Sequence, residues 1–369
     1  MQEDLLYKLA LKEADGIGGV IFRHLISYFG NAKTVLEASD GKLLKTPGIG
    51  PGIVSGIKKA RKGLVNAEAL LVESAKKGYK IISFQDANYP QRFKGLYDAP
   101  PILFCLGSED FNYPRTIGIV GTRKCTEYGK EVTEQLVADL APCGVVVISG
   151  LAYGIDIAAH KAALKYNLKT VAVMAGGLNQ IYPAAHKKYV KDIVSNGALV
   201  SENKNDSIPV GPQFIARNRI IAALSDAIII VESARRGGGL VTAEYGNNYH
   251  RDVYAVPGAL NMPFSEGPNT LIRLNKAKIY TSPKNIINDL GWSLEDESEL
   301  HLAAAEIDLS RFTDDESKVI SLLRAKGDCQ IDDLSFETNI PLNKLASLLL
   351  NLEFQDLVKA LPGKKFKLR

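Results

Sequence analysis

What the sequence lacks narrows it first. Its four cysteines, Cys105, Cys125, Cys143 and Cys329, are scattered through 369 residues without CxxC spacing. Neither a thiolate zinc site nor a disulfide framework is indicated, and a reducing compartment is the simpler reading. No segment approaches the run of about 18 apolar residues that a membrane span requires. The opening MQEDLLYKLALKEADG carries acids among its apolar positions instead of a signal-peptide core. These absences lead to the expectation of a soluble, cytoplasmic protein. The first glycine turn of the central region reads GIVGTRKCTEYG and not GxGxxG, and no acidic residue ends the following strand to grip a ribose. A free dinucleotide is therefore disfavoured. A GxxxxGK[ST] loop is also missing, so a P-loop ATPase has no support. No metal or cofactor is expected.

What is present is an ordinary globular composition, 46% hydrophobic and 23% charged, with a formal charge of +4 and a pI near 8.6. That balance permits a polyanionic partner without demanding one. Residues 1–80 show helical periodicity interrupted twice by the same tripeptide, Gly16-Ile17-Gly18 and Gly48-Ile49-Gly50. A helix-hairpin-helix or SAM-like domain would use such turns to present backbone N–H groups to a phosphate. A small helical bundle would use the glycines only for tight turns. Lys42, Lys45, Lys58, Lys59 and Arg61 around the second copy lean toward DNA.

Residues 81–115 are rich in proline and aromatics and are expected to pack on the central domain. Over 116–292, apolar runs of strand length alternate with helical patterns: TIGIVG, VVVISG, TVAVMAGG, ALVSE, AIIIVES, VYAVPG and KIYT. Strands apolar on both faces and separated by helices predict a doubly wound, mostly parallel, Rossmann-like α/β domain. Residues 293–313 include LEDESELHLAAAEID, six carboxylates with no Lys or Arg, which suits a solvated linker. Residues 314–369 read as a winged helix: helix, short helix, a Pro341 turn, a third helix with Leu345, Leu348, Leu349 and Leu352 on one face, then two strands about Pro362-Gly363. Such a module reads DNA or docks on protein.

In open parallel sheets ligands collect at the carboxyl ends of the strands, and four loops there carry chemistry. They hold Gly121, Thr122 and Arg123; Ser149, Gly150 and Gly154; Gly176 and Gly177; and Gly238, Gly239 and Thr242. Glycines let backbone approach a phosphate, hydroxyls add donors, and helix N-termini add partial positive charge. Beside them, Phe214, Arg217, Asn218 and Arg219 open a helix with an aromatic ring, two guanidiniums and an amide. These groups can stack on a base and bond phosphate. On the plainer reading Phe214 is core and the arginines are internal ion-pair partners.

The ordered set NYPQRFKGLYDAPPILFCLG, IGIVGTR, VVISGLAYGIDIAAHKAAL, TVAVMAGGLNQIYP, FIARNRIIAALSDAIIIVES, GGLVTAEY and VYAVPGAL-NMPFSEGPNTLI resembles the bacterial DNA-processing protein A (DprA, also Smf) family. The resemblance spans nearly the whole chain. It implies a homodimeric, non-enzymatic protein that binds single-stranded DNA, protects it, and loads the RecA recombinase in natural transformation. By motif, Gly121, Thr122 and Arg123 match the family's Gly-Ser-Arg turn, Ser149 to Gly154 its SGxAxGID loop, and Phe214, Arg217, Asn218 and Arg219 its RNR helix start. Asp156 and His160 also match and are read as a helix cap and a packed histidine. Two departures stand out. Thr122 replaces the usual Ser, and Val210-Gly211-Pro212 stand where the family often has a basic residue, a contact that Lys204 would have to supply. The terminal domains would contact duplex DNA.

The enzymatic alternative is a Rossmann-like nucleotide hydrolase of the lysine-decarboxylase-like (LOG) group, whose signature is PGGxGTxxE. Here the loop reads GGGLVTAEY, with Tyr245 at the position of the catalytic Glu. Glu244, one residue short, stands about 100° around the helix.

Overall fold

The computed structural model describes residues 2–292, 312–355, 357–361 and 365–368. The expected linker falls outside the described residues except for its two ends, and the Pro362-Gly363 turn falls outside them entirely. The chain divides into two compact units, Met1–Leu290 and Gly291–Arg369.

The first unit opens with six helices: α1 (Gln2–Lys12), α2 (Gly19–Phe29), α3 (Ala32–Glu37), α4 (Asp40–Leu44), α5 (Pro51–Lys62) and α6 (Leu64–Lys76). The tripeptide repeat has a shared geometry. Gly16 and Gly48 take φ of 80° and 76°, a region costly for residues with a Cβ, and turn the chain. Gly18 and Gly50 then cap α2 and α5 in extended conformation. In both turns the isoleucine N–H closes on a carbonyl three residues back, Ala14 and Thr46, at 3.1 Å.

A nine-stranded mixed sheet comes next. Its strands are β1 (Lys80–Ser83), β2 (Ile102–Gly107), β3 (Thr116–Val120), β4 (Val146–Gly150), β5 (Thr170–Val173), β6 (Gly197–Ser201), β7 (Ala227–Ile230), β8 (Asp252–Ala255) and β9 (Lys278–Ile279). The spatial order is β1-β2-β6-β5-β4-β3-β7-β8-β9. All seven runs picked from the sequence are strands, and they pair in parallel from β6 across to β9. The 81–115 stretch does more than pack on this sheet. Its β2 pairs antiparallel with β6, and β1 antiparallel with β2. These short runs carry no helical crossover between them, so they add as a hairpin-like edge.

Helices α7 (Glu127–Leu140), α8 (Ile155–Lys165), α9 (Lys187–Asn196), α10 (Gly211–Leu224), α11 (Gly238–Asn248), α12 (Glu266–Arg273) and α13 (Pro283–Asp289) connect the strands. Alternation along β5 separates two cores. Val171 and Val173 join Ile220, Ile221 and Ala243 of α10 and α11, whereas Ala172 joins Leu199 and Ile193 of α9. The latter core continues without a break into Leu9, Phe22, Leu25, Val35 and Ile57, so the N-terminal helices bury their apolar faces against the sheet layer. The chain steps from β3 outward to β6, then returns to place β7 on the other side of β3. The loops after β3 and β7 therefore diverge, which leaves a crevice between them.

The second unit contains α14 (Asp314–Lys326), β10 (Asp328–Gln330), α15 (Ile331–Thr338), α16 (Leu342–Phe354), β11 (Val358–Leu361) and β12 (Lys365–Leu368). The four leucines Leu345, Leu348, Leu349 and Leu352 are buried in its core, as their helical spacing requires. Strand order is β10-β12-β11, all antiparallel. The Thr313 hydroxyl and the Glu316 carboxylate form a reciprocal cap that starts α14.

Candidate nucleic-acid interface

The four loops do converge at the carboxyl edge of the sheet, and their glycines have a different use from the one expected. A Cβ on Gly150 would strike the Arg217 guanidinium. One on Gly154, at φ 79°, would strike the Thr122 carbonyl, and one on Gly177 the carbonyls of Lys204 and Asn205. At Gly121 and Gly176 the obstacles are the Glu232 carbonyl at 2.8 Å and the Ser207 carbonyl at 2.6 Å. These glycines let loop pack on loop. Gly238 alone of the predicted glycines has nothing within 4 Å of such a Cβ, and Gly239 behind it touches the Gly121 backbone at 3.5 Å. The open N-terminus of α11 thus lies beside the Gly121-Thr122 turn, in the crevice.

Several predicted contacts are corrected by burial. Ser149 is fully buried, and its hydroxyl donates to the Ile119 carbonyl at 2.6 Å. Thr242 is fully buried one turn into α11 with no partner for its Oγ1 among the described residues. Arg217 points inward: Nη1 donates to the Val173 carbonyl at 2.6 Å and Nη2 lies 3.6 Å from Asp156 Oδ2. Burial lowers the pKa of Arg217 and raises that of Asp156, and their mutual attraction opposes both shifts. Asp156 is therefore an ion-pair partner, with a long 3.4 Å bond from the Ala152 N–H, and not a simple helix cap. Arg219, two residues on and about 200° around the helix, pairs with Glu202. Asn218 donates to the Gly238 carbonyl at 3.2 Å and accepts from Arg217 Nε, tying α10 to α11. Arg123, Arg217 and Arg219 thus do not face one strand. Lys204, which would have to replace the missing basic residue, pairs with Glu13 of α1 at 3.0 Å.

His160 is packed as expected. Its Nε2 donates to the Gly150 carbonyl at 2.6 Å, Nδ1 lies 2.7 Å from Thr170 Oγ1, and desolvation drops its pKa to about 4. It stays neutral. Glu232 is also consumed, accepting from the Thr126 N–H and hydroxyl at 2.9 and 2.6 Å at the start of α7.

What remains outward is a compact cluster. The Arg123 guanidinium lies 4.9 Å from the centroid of the Phe214 ring, and Tyr182 meets the same ring edge-on at 5.5 Å. Cation–π contact of this kind holds the guanidinium in place without neutralising it. Tyr153 packs edge-on against His186 at 4.9 Å and is half exposed, as is Tyr182. Lys124, Arg235 and Arg236 are exposed in the loops after β3 and β7. The sequence reading missed these tyrosines and this basic pair. Arg235-Arg236 directly precedes the glycine run, a signal that was available. Tyr182 follows the β5 loop with no periodicity to mark it.

Both terminal regions were expected to contact duplex DNA. In the first tripeptide copy Gly19 abuts the Ala99 carbonyl, which closes that helix start. The second copy is open, but Lys58, Lys59 and Arg61 around it pair with Asp40, Asp15 and Asp40.

With this geometry in view, the comparisons with known proteins agree on a family. Residues 80–291 match the family described as DNA recombination-mediator protein A, and residues 302–364 match the DprA winged helix domain. The chain belongs to the DNA recombination-mediator protein A family. It is 35% identical to Protein Smf of Escherichia coli over 288 residues, covering 76% of this chain and 75% of that protein. It is 36% identical to DNA processing protein DprA of Bacillus subtilis over 222 residues, 60% of this chain and 74% of that protein. Among solved structures it superposes on DprA from Streptococcus pneumoniae with a TM-score of 0.67 at 31% identity, covering 76% of this chain and 95% of that one. DprA from Helicobacter pylori, described for its single-stranded DNA binding mode, gives 0.52 at 34% identity, covering 57% and 95%. Among the described residues, no helix is long and apolar enough to cross a membrane.

Proposed function

We propose that the chain is a cytoplasmic recombination mediator that grips single-stranded DNA across the crevice between the loops after β3 and β7. The carrying observation is the Arg123–Phe214–Tyr182 cluster beside the open N-terminus of α11. Aromatic faces accept any base, and a guanidinium with free N–H groups pairs with phosphate, so the grip is sequence-tolerant and salt-sensitive. The single reversal of strand order supports a Rossmann-like, doubly wound reading of the sheet, with the strand at its switch point. RecA loading and homodimerisation are part of this reading and rest on family membership.

The reading is one of binding without catalysis. The two carboxylates nearest the loops are spent, Asp156 on Arg217 and Glu232 on Thr126. At the position where a nucleotide hydrolase would place its Glu, Tyr245 stacks on Tyr249 with centroids 5.9 Å apart. Binding of a fluorescent oligo-dT to wild type and to Arg123→Glu is the test. The charge reversal should weaken binding at least about tenfold, or 1.4 kcal/mol. Equal affinities, or enzyme-like hydrolysis of AMP by the purified protein, would overturn the reading.

A further inference from the structure

A cleft of about 680 Å³ lies away from the crevice, between α1, the ends of α5 and α6, and the loop Lys204–Asp206. That volume is typical of small-molecule sites. Its floor is apolar, with Leu9, Ala60, Ala67 and Leu70. Its rim carries four carboxylates, Glu13, Asp15, Glu73 and Asp206, against two lysines.

Both lysines are already taken, Lys59 by Asp15 at 2.8 Å and Lys204 by Glu13 at 3.0 Å. Glu73 accepts from Lys77 at 2.7 Å and from Asn179 at 2.8 Å. Asp206 receives only the Asn179 amide, at 2.6 Å, and has no cationic partner among the described residues. Next to it Asn205, fully buried in the lining, donates to Ser74 Oγ at 2.9 Å and to Glu73 at 3.5 Å, while its Oδ1 has no partner. Turning the amide over would set that oxygen against the Glu73 carboxylate, so the orientation is fixed by charge. An orphaned buried acceptor costs about 1–3 kcal/mol, and a donor entering from the cleft relieves it.

The unmet needs are thus one negative charge and one acceptor above an apolar floor. An anion would meet surplus carboxylates, and a purely apolar molecule would desolvate Asp206 without pairing it. We propose that this cleft binds a small organic cation with several N–H donors on an aliphatic stem, an alkylammonium or alkylguanidinium. Its charged head sits at Asp206 and Asn205, and its stem lies along Leu70 toward Asn66, about 10 Å away at the rise of an α-helix.

The test uses the full chain without DNA, so it stands apart from the nucleic-acid reading. Calorimetric titration with spermidine and with agmatine should show one saturable site for at least one of them, and the stronger of the two tells ammonium from guanidinium. Choline, charged but without N–H donors, should bind at least about tenfold more weakly, as should either amine to Asp206→Asn. Ala69→Trp, an exposed position on the cleft-facing side of α6, should plug the cleft and abolish the heat while the melting temperature stays that of wild type; Asn66→Trp replaces it if that variant is unstable. No saturable site for either amine, equal affinity for choline, or wild-type affinity in either the Asp206 or the plugging variant would overturn the proposal.

Discussion

The chemistry beneath the loops and the chemistry above them use the same residue types to opposite ends. Below, Arg217 is inside, held by Asp156 and a strand carbonyl, with Ser149 and His160 also closed off by hydrogen bonds. Above, Arg123 lies on an aromatic ring with its charge free for a ligand. A guanidinium beside a buried carboxylate is scaffold, and a guanidinium beside a ring is available. Residue type does not separate the two cases; the partner does.

The strongest test of that contrast is Arg217→Ala, which strands Asp156 in the core. Loss of one member of a buried pair typically costs about 3–5 kcal/mol, so urea unfolding should show a large drop, whereas oligo-dT affinity of the folded protein should change little. Asp156→Ala should likewise cost stability before it costs DNA contact. A 217 variant of normal stability but no DNA affinity would erase the distinction.

Next in size is a pH effect confined to the lower layer. Folded His160 stays neutral down to about 4, whereas the unfolded chain binds its proton below the ordinary value of 6.5. The unfolded state then holds more protons, so stability is fully present above 6.5 and declines as pH falls toward 4, by at most about 3 kcal/mol. Melting curves from pH 7.5 to 4.5 should show this decline, reduced in His160→Asn.

Smaller in energy but decisive for the upper layer is Arg123→Ala. It should leave the melting temperature within error and weaken oligo-dT binding by about 1–2 kcal/mol, the sum of a lost phosphate partner and a loosened ring. Smallest is the double change Arg235→Ala, Arg236→Ala. If both arginines meet phosphates, the slope of log affinity against log salt should become shallower by about 1.4, at 0.7 per single-strand contact. An unchanged slope would confine the grip to the Arg123 side.

Much of the fold was legible because its signals are local. The seven parallel strands are apolar runs, the two glycine tripeptides are turns, and the leucine face of α16 is a period. The antiparallel edge strands β1 and β2 were not legible, since KIIS and ILFCLG sit among prolines and aromatics that read as connector. Of the candidate site, the four loops were correctly brought together, but Ser149, Thr242, Arg217 and Arg219 were assigned outward because a motif does not show which way a side chain points. Tyr182, Lys124 and Arg235-Arg236 were passed over for the same reason.

By itself the sequence determined the alternation of strand and helix, the glycine positions and the family, because periodicity and ordered motifs are written along the chain. Only the tertiary structure decided that the glycines serve loop packing, that Arg217 is scaffold, and that Arg123, Phe214 and Tyr182 form one surface. Those outcomes depend on which distant groups meet, Asp156 with Arg217 or Thr122 with Gly154. Such meetings are set by the global arrangement of strands, which no local pattern encodes.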